Sequence, residues 1–127
     1  MVIYVAGKYT ASTEEGKQLN TDEAMWYGVM LEGLGYHAVV PHLSHYLDSM
    51  AQAMEVDIPY KTWIQRGLFL LSNCDAMLVI SESPGVKREI AFAKNNHIPI
   101  YYSLDELNCR LSRNLPALPG CLQGSHR

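Results

Sequence analysis

The sequence has few cysteines and no long apolar run. Its three cysteines, Cys74, Cys109 and Cys121, are far apart and form no CxxC pair, so neither a zinc knuckle nor a redox motif is expected. No apolar run approaches the roughly 20 residues that a membrane-spanning helix needs. The first ten residues, MVIYVAGKYT, contain no basic leader and no long apolar stretch. We therefore expect no secretory signal and a cytoplasmic location.

An excess of charge of one sign is also missing. The formal net charge is −3 and the pI about 5.9, which gives no general attraction to nucleic acid or to anionic membranes. We therefore expect neither a nucleic-acid polymer nor a membrane as a partner. Hydrophobic residues make up 48% of the 127 residues and charged residues 18%, which is typical of one folded domain rather than of a disordered chain.

Short apolar runs alternate with helical patterns along the chain. Four runs predict strands, at Val2 to Ala6, His37 to Val40, Ala76 to Ile80 and Ile98 to Tyr102. Because each run is almost continuously apolar, we expect a parallel sheet that is covered on both faces. Helical spacing, such as that of Trp26, Met30 and Leu34, predicts helices at about residues 20–34, 61–73 and 86–96 and from Leu104.

This alternation predicts an α/β fold. We expect a single doubly wound parallel sheet, Rossmann-like or flavodoxin-like, of four to five strands with helices on both faces. The domain is predicted to span residues 1–113, and residues 114–127, NLPALPGCLQGSHR, are predicted to form an extended C-terminal tail. In such sheets ligands bind beyond the carboxyl ends of the strands, so the loops at that edge are the candidate site.

The loop after the first strand reads YVAGKYTAST. Gly7 would let the backbone approach a ligand closely, and Lys8, Tyr9 and Thr10 offer hydrogen-bond donors. The loop is neither a GxGxxG fingerprint nor a P-loop, so binding of NAD or ATP is not predicted and no cofactor is expected. An ordinary polar turn is the alternative.

The loop after the second strand contains PHLSHYLDSM. His42 and His45 would share a face if this segment were helical and could then bind a metal ion, but the spacing supplies no third ligand. We therefore predict no metal site. The two histidines are instead candidate substrate-binding residues that line a pocket or orient a carboxylate, or they are structural. The connection over about residues 49–59 is long, which indicates a lid or a binding loop.

The loop after the third strand opens the segment SESPGVKREIAFA. The Ser83 hydroxyl and free amides at Gly85, Val86 and Lys87 would form an anion site at the start of a helix. Glu89 lies one turn into that helix. Two interpretations remain open: a carboxylate favoured by the helix dipole, or a nucleophile that attacks a ligand bound in the loop.

Four stretches together resemble a known family. They are IYVAGKYTA, PHLSHYLD, YKTWIQRGLFLLSNCDAML and SPGVKREIAFA, and they cover roughly residues 2–107. They resemble the nucleoside 2-deoxyribosyltransferase superfamily, which includes the deoxynucleoside-monophosphate N-glycosidases, and are most similar to its small bacterial and phage members. The resemblance implies a homodimer or a larger homo-oligomer.

The resemblance also implies roles for individual residues. Glu89 matches the nucleophile that attacks the anomeric carbon, and Tyr4 matches a tyrosine beside it. The loop with Ser83, Gly85 and Val86 matches the one that holds the 5′ end of the sugar. Gly7 and Tyr9 match the loop near the base and the sugar. The expected function is therefore cleavage of the base–sugar bond of a nucleoside or its 5′-monophosphate, with hydrolysis favoured over transfer.

The sequence departs from the family pattern at two positions. Lys8 stands where the usual form has proline, and Gly67 stands eight residues before Asp75, where the family often has an aspartate that assists the leaving base. We therefore expect Gly67→Asp to raise the rate of an enzyme. Asp75 itself is expected to cap the start of the third strand. A nucleotide-binding module without turnover is the alternative function, and a NAD-cleaving relative is a third.

Overall fold

The structure is a computed structural model, and it describes residues 1–111. The tail predicted for residues 114–127 lies outside the described residues. The elements, in chain order, are β1 (Val2–Ala6), α1 (Glu14–Gly33), β2 (His37–Val39), a 3₁₀ turn (Pro41–Leu43), α2 (Ser44–Ala53), α3 (Tyr60–Ser72), β3 (Ala76–Val79), α4 (Pro84–Asn95), β4 (Ile100–Tyr101) and α5 (Leu104–Leu111).

The strands form one parallel sheet in the order β2-β1-β3-β4. Successive side chains of each strand point to opposite faces, so β1 and β3 contribute to two separate cores. Helices α1 and α5 pack on the face that contains Ile3 and Leu78. Helices α3 and α4 pack on the face that contains Tyr4 and Met77. The prediction of a doubly wound α/β sheet with helices on both faces is confirmed.

The carboxyl ends of β1 and β3 lie side by side at the point where the strand order reverses. The Lys8 amide donates a hydrogen bond to the Ser81 hydroxyl at 2.8 Å, which joins the two loops that follow these strands. A Cβ atom on Gly7 would come within 2.6 Å of Ile80 Cγ1. Glycine is therefore needed here because the ends of the strands pack closely, and the resulting crevice is where a doubly wound sheet binds ligands.

Helix α1 begins earlier than predicted and buries a different face. It starts at Glu14 rather than near residue 20, because the Thr13 hydroxyl caps it by accepting a hydrogen bond from the Gly16 amide at 3.0 Å. The predicted stop is confirmed, since Gly35 adopts a φ of 97° directly after the helix. The residues buried against the sheet are Thr21, Ala24, Gly28 and Leu31, whereas the apolar residues whose spacing predicted the helix, Trp26, Met30 and Leu34, are exposed.

The predicted second loop is instead mostly helical. Pro41 opens the 3₁₀ turn, and α2 follows it without a break up to Ala53. Only residues 54–59 connect α2 with α3, so the long connection predicted over about residues 49–59, as a lid or a binding loop, is wrong in its length. The helical spacing of Leu43, Leu47 and Met50 was present in the sequence, but these side chains are exposed in the chain described here and give no buried stripe.

Asp75 lies at the amino edge of the sheet, away from the crevice. Its carboxylate accepts a hydrogen bond from the Val2 amide at 2.7 Å, and the Asp75 amide donates to the Val2 carbonyl at the same distance. This aspartate therefore closes the starts of β1 and β3 and has a structural role. None of the helices in residues 1–111 combines the length and the hydropathy that crossing a bilayer requires.

Candidate active site

A cavity of about 280 Å³ opens in the crevice at the carboxyl edge of the sheet. Its walls come from the loops after β1 and β3, the 3₁₀ turn, and the first turns of α3 and α4. The lining includes eight residues that the sequence predicted for the site, namely Tyr4, Gly7, Tyr9, His42, Ser83, Gly85, Val86 and Glu89. His45, also predicted, lies behind Tyr9 rather than in the lining.

The centre of the site is a hydrogen bond between Tyr4 and Glu89, which are 85 residues apart in the chain. The buried Tyr4 hydroxyl, on β1, donates to Glu89 Oε2 at 2.5 Å. The Glu89 carboxylate reaches it from α4, and the described chain offers no hydrogen-bond donor to the second oxygen, Oε1. One carboxylate oxygen is thus held in place while the other stays available to a ligand in the cavity.

Burial sets the protonation states of this pair. Desolvation raises the pKa of Glu89, and this effect exceeds the opposing effects of the Tyr4 hydrogen bond and the nearby Arg88 charge. Burial and the neighbouring carboxylate also raise the pKa of Tyr4 far above its usual range. Tyr4 therefore stays protonated and keeps donating, and the Glu89 carboxylate is less well solvated and more basic than an exposed one.

Gly67 of α3 lies directly beside this pair. A Cβ atom at position 67 would come within 3.2 Å of the Tyr4 hydroxyl oxygen and 3.6 Å of Glu89 Oε2. Because glycine has no Cβ atom, it leaves space for the Tyr4 and Glu89 side chains. An aspartate here would press on Tyr4 and would place a second negative charge next to Glu89. The geometry reverses the sequence-based expectation, and we now expect Gly67→Asp to lower the rate of an enzyme.

The start of α4 is only partly free to bind an anion. The Ser83 hydroxyl caps the helix by accepting a hydrogen bond from the Val86 amide at 3.2 Å, and the Lys87 amide donates to the Ser83 carbonyl at 2.9 Å. The prediction that these two amides are free is therefore wrong. The Gly85 amide has no acceptor within the described residues, and the Ser83 hydroxyl retains its proton for a ligand.

Two arginines in the lining were not predicted. Arg66 lies on α3 and Arg88 on α4, and neither forms an ion pair with a carboxylate of residues 1–111. A Cβ atom built on Gly85 would lie 3.8 Å from Ser83 Oγ and 4.0 Å from Arg88 Nη1, so these groups surround one small space. The sequence carried a signal, because Arg66 and Arg88 directly precede Gly67 and Glu89. Together they make the cavity attractive to an anion.

Histidines and a tyrosine build the wall beside α2. His42 Nε2 donates to the Gly7 carbonyl at 2.9 Å and to the Lys8 carbonyl at 3.2 Å, which fixes the first loop. Burial lowers the pKa of His42, so its ring is neutral. His45 Nδ1 lies 2.7 Å from the Tyr9 hydroxyl. His42 thus holds the backbone of the first loop, and His45 contacts the Tyr9 hydroxyl. The described hydrogen bonds of their ring nitrogens are to these groups rather than to a carboxylate.

Residues 1–111 contain no group of three or more histidine, cysteine, aspartate or glutamate side chains that could hold a metal ion. The half-buried Trp63 and the exposed Tyr60, at the start of α3, add flat apolar surface to the lining. Neither aromatic residue was predicted for the site from the sequence.

No protein-family model matches the sequence, and no curated protein shows significant similarity to it. A functional assignment therefore depends on the geometry of this cavity and on the motifs that resemble the deoxyribosyltransferase superfamily.

Proposed function

We propose that the protein is an N-glycosidase or deoxyribosyltransferase that cleaves the base–sugar bond of a deoxynucleoside or its 5′-monophosphate, with Glu89 as the nucleophile. The observation that carries this proposal is the Glu89 carboxylate, which lines the cavity with one oxygen held by Tyr4 and the other without a donor in residues 1–111. A purely dipole-favoured glutamate would be expected in water at the helix surface, where it needs no buried partner.

The arrangement suits attack on an anomeric carbon. Glu89 Oε1 forms a bond to C1′ while the C1′–N bond breaks and its electron pair moves onto the base. Water or a second base then attacks C1′ and releases the carboxylate. The Tyr4 hydrogen bond keeps the carboxylate oriented through both steps, and the partial burial of Glu89 leaves it poorly solvated and reactive.

The charge of the lining favours a 5′-monophosphate over a neutral nucleoside. A phosphate would accept hydrogen bonds from the Ser83 hydroxyl and the Gly85 amide and would pair with Arg88, since these three groups face one space. The sugar would then extend from this end of the cavity toward Glu89. As in the sequence-based expectation, we favour hydrolysis over transfer.

We also infer that the protein acts in the cytoplasm as a homodimer or larger homo-oligomer, as the resemblance implies. Exposed apolar side chains on α1 and α2, including Trp26, Val29, Leu47 and Met50, support self-association, because such exposed patches often mark interfaces. Light scattering would measure the mass directly, and a monomer at high concentration would contradict this inference.

The test is release of free base. The protein is incubated with each deoxynucleoside and each deoxynucleoside 5′-monophosphate, and the products are separated by chromatography. We expect base release from at least one monophosphate, and its loss in Glu89→Ala. Glu82→Ala is the matched control, because Glu82 is an exposed glutamate of the same loop and lies outside the lining. Absence of base release from every substrate would contradict the proposal.

Arg88→Gln separately tests the phosphate end of the cavity, which is the space around Ser83, Gly85 and Arg88. Loss of one charge-assisted contact should raise KM for the monophosphate by about tenfold, which corresponds to about 1.4 kcal/mol, and should leave KM for the nucleoside nearly unchanged. Equal effects on both substrates would show that Arg88 does not contact the phosphate.

A nucleotide-binding module without turnover is the second candidate. Glu89 is the only acidic side chain among the described lining residues, so none of these residues supplies a second carboxyl group to protonate the leaving base. This function predicts no base release but an increase in the melting temperature on addition of a nucleotide.

A further inference from the structure

A base leaving a sugar needs a proton, and the described lining contains no acidic residue other than the nucleophile Glu89. We propose that the Tyr9 hydroxyl is the general acid that protonates the leaving base, and that His45 is a positioning residue that supplies Tyr9 with its proton. This inference rests on the proposed function, but it concerns a step that Glu89 and the phosphate end do not explain.

Tyr9 is held firmly in the cavity wall. Its hydroxyl lies 2.7 Å from His45 Nδ1, and its backbone carbonyl accepts a hydrogen bond from Asn20 Nδ2 at 3.0 Å. The His45 and His42 rings meet the Tyr9 ring edge to face, with centroid distances of 5.7 and 6.4 Å. A group fixed on several sides needs little reorganisation before it transfers a proton.

The placement of Tyr9 and Glu89 suits the two ends of one bond. Tyr9 comes from the loop after β1 and contacts α2, whereas Glu89 comes from α4 on the other side of the crevice. Both side chains line the same cavity of about 280 Å³. A nucleotide whose C1′ faces Glu89 therefore directs its base away from α4, toward the wall that contains Tyr9.

The hydrogen bond between Tyr9 and His45 can run in either direction. Only one direction leaves the phenol proton of Tyr9 available to a ligand. When His45 Nδ1 carries no hydrogen, Tyr9 donates to it and has no proton for a ligand. When Nδ1 is protonated, His45 donates to the Tyr9 oxygen, and the phenol proton is free to point into the cavity. Both forms are compatible with the 2.7 Å separation.

The proton balance of the step follows from the second form. As the C1′–N bond breaks, its electron pair moves onto the base, and a base nitrogen takes the phenol proton of Tyr9. The Tyr9 oxygen takes the proton from His45 Nδ1, and the neutral His45 regains a proton from water. Burial and the charges of Asp48 and Glu14 raise the pKa of Tyr9, so a phenolate does not accumulate.

The test compares two leaving groups in the same protein preparation. One substrate is the deoxynucleoside 5′-monophosphate that the wild type cleaves fastest. The other is 4-nitrophenyl 2-deoxyribofuranoside 5-phosphate, whose nitrophenolate leaves without a proton. We expect Tyr9→Phe to slow the first reaction by about 10²- to 10⁴-fold and the second by less than about threefold. The ratio of the two rates does not depend on the fraction of protein that is folded.

Tyr46→Phe is the matched control, because the Tyr46 ring contacts His45 with a centroid distance of 5.2 Å but does not line the cavity. This variant should keep both rates. If Tyr9→Phe slows both substrates equally, Tyr9 only binds the substrate and the inference is overturned. If the wild type cleaves neither substrate, the proposed function fails and this inference fails with it.

The pH dependence tests His45 separately. The proposed step consumes a proton held on His45 Nδ1, so the wild-type rate on the nucleotide should fall as the pH rises. The groups around the pair are Asp48, Glu14, His42 and Tyr46, and all of them remain in His45→Gln. That variant should lose the falling limb, whereas an unchanged limb would exclude His45 as the proton source.

Discussion

Replacing Glu89 with glutamine should stabilise the protein while it abolishes the proposed activity. Glutamine has nearly the same shape and keeps an oxygen that can accept the Tyr4 hydrogen bond of 2.5 Å, but it carries no charge. Because burial raises the pKa of Glu89, folding disfavours its charged form. Stability gained at the expense of activity is characteristic of residues whose placement serves function.

The size of the effect follows from two opposing contributions. Burying a carboxylate costs several kcal/mol, and a hydrogen bond to a charged acceptor returns about 1.5–3 kcal/mol. From these two contributions we expect a net penalty of about 2 kcal/mol for the wild type at neutral pH. For a chain of this length, we expect a rise of about 4 °C in melting temperature for each kcal/mol, or about 8 °C in total.

The sign of the pH dependence is fixed by the raised pKa. Below about pH 4 glutamate is protonated in both the folded and the unfolded chain, so the wild type and Glu89→Gln should be almost equally stable. As the pH rises through the native pKa of Glu89, the wild type loses this part of its stability and the variant does not. The difference between them should therefore grow from near zero at pH 4 to its full size at pH 8.

The assay is thermal or urea unfolding of both proteins at pH 4, 6 and 8. The lowered pKa of His42 makes the folded state lose stability as the pH falls, but both proteins share this effect and it cancels in the difference. Glu82→Gln is the control, because Glu82 is exposed and should change stability by less than about 0.5 kcal/mol. A Glu89→Gln variant no more stable than the wild type at pH 8 would refute this reasoning.

Three further predictions concern neighbouring contacts. Tyr4→Phe removes the one hydrogen-bond donor that residues 1–111 provide to the Glu89 carboxylate, so it should lower the free energy of unfolding at pH 8 by about 1–3 kcal/mol and raise the pKa seen in a pH–rate profile. A profile that does not move would show that the bond does not affect the nucleophile. Gly67→Ala places a methyl group 3.2 Å from the Tyr4 hydroxyl, so steady-state kinetics should show a lower kcat with little change in KM. An unchanged kcat would mean that Tyr4 can shift without effect. Thr13→Ala removes the cap of α1 and should lower the unfolding free energy by about 1 kcal/mol in urea titrations, whereas Ser12→Ala, next to it, should not.

The sequence by itself determined the order and the type of most elements. Each strand is a short, nearly continuous apolar run, and that pattern is typical of strands in a parallel sheet covered by helices, so the strands could be predicted from local sequence. The stop of α1 is equally local, because Gly35 needs a positive φ that few other residues adopt. Glu89 and the capping Ser83 could be selected for the same reason, since the start of a helix is encoded within a few residues.

The sequence alone was misleading about which face of a helix is buried and which is exposed to solvent. The apolar side chains of α1 that predicted the helix lie on its outer face, and small residues such as Ala24 and Gly28 pack against the sheet. In the same way, α2 carries its apolar residues outward and was predicted as a loop. Periodicity shows that a segment can be a helix, but it does not show which side meets the core when apolar residues occupy both sides.

Only the tertiary structure decided how the site is assembled. The Tyr4–Glu89 hydrogen bond joins residues 85 positions apart, and it depends on β1 pairing with β3 and on α4 packing against the same face as Tyr4. The space left by Gly67 and the pairing of Tyr9 with His45 depend in the same way on how the elements pack. These are contacts between distant parts of the chain, set by close packing over a few tenths of an ångström, and no local pattern of residues encodes such distances.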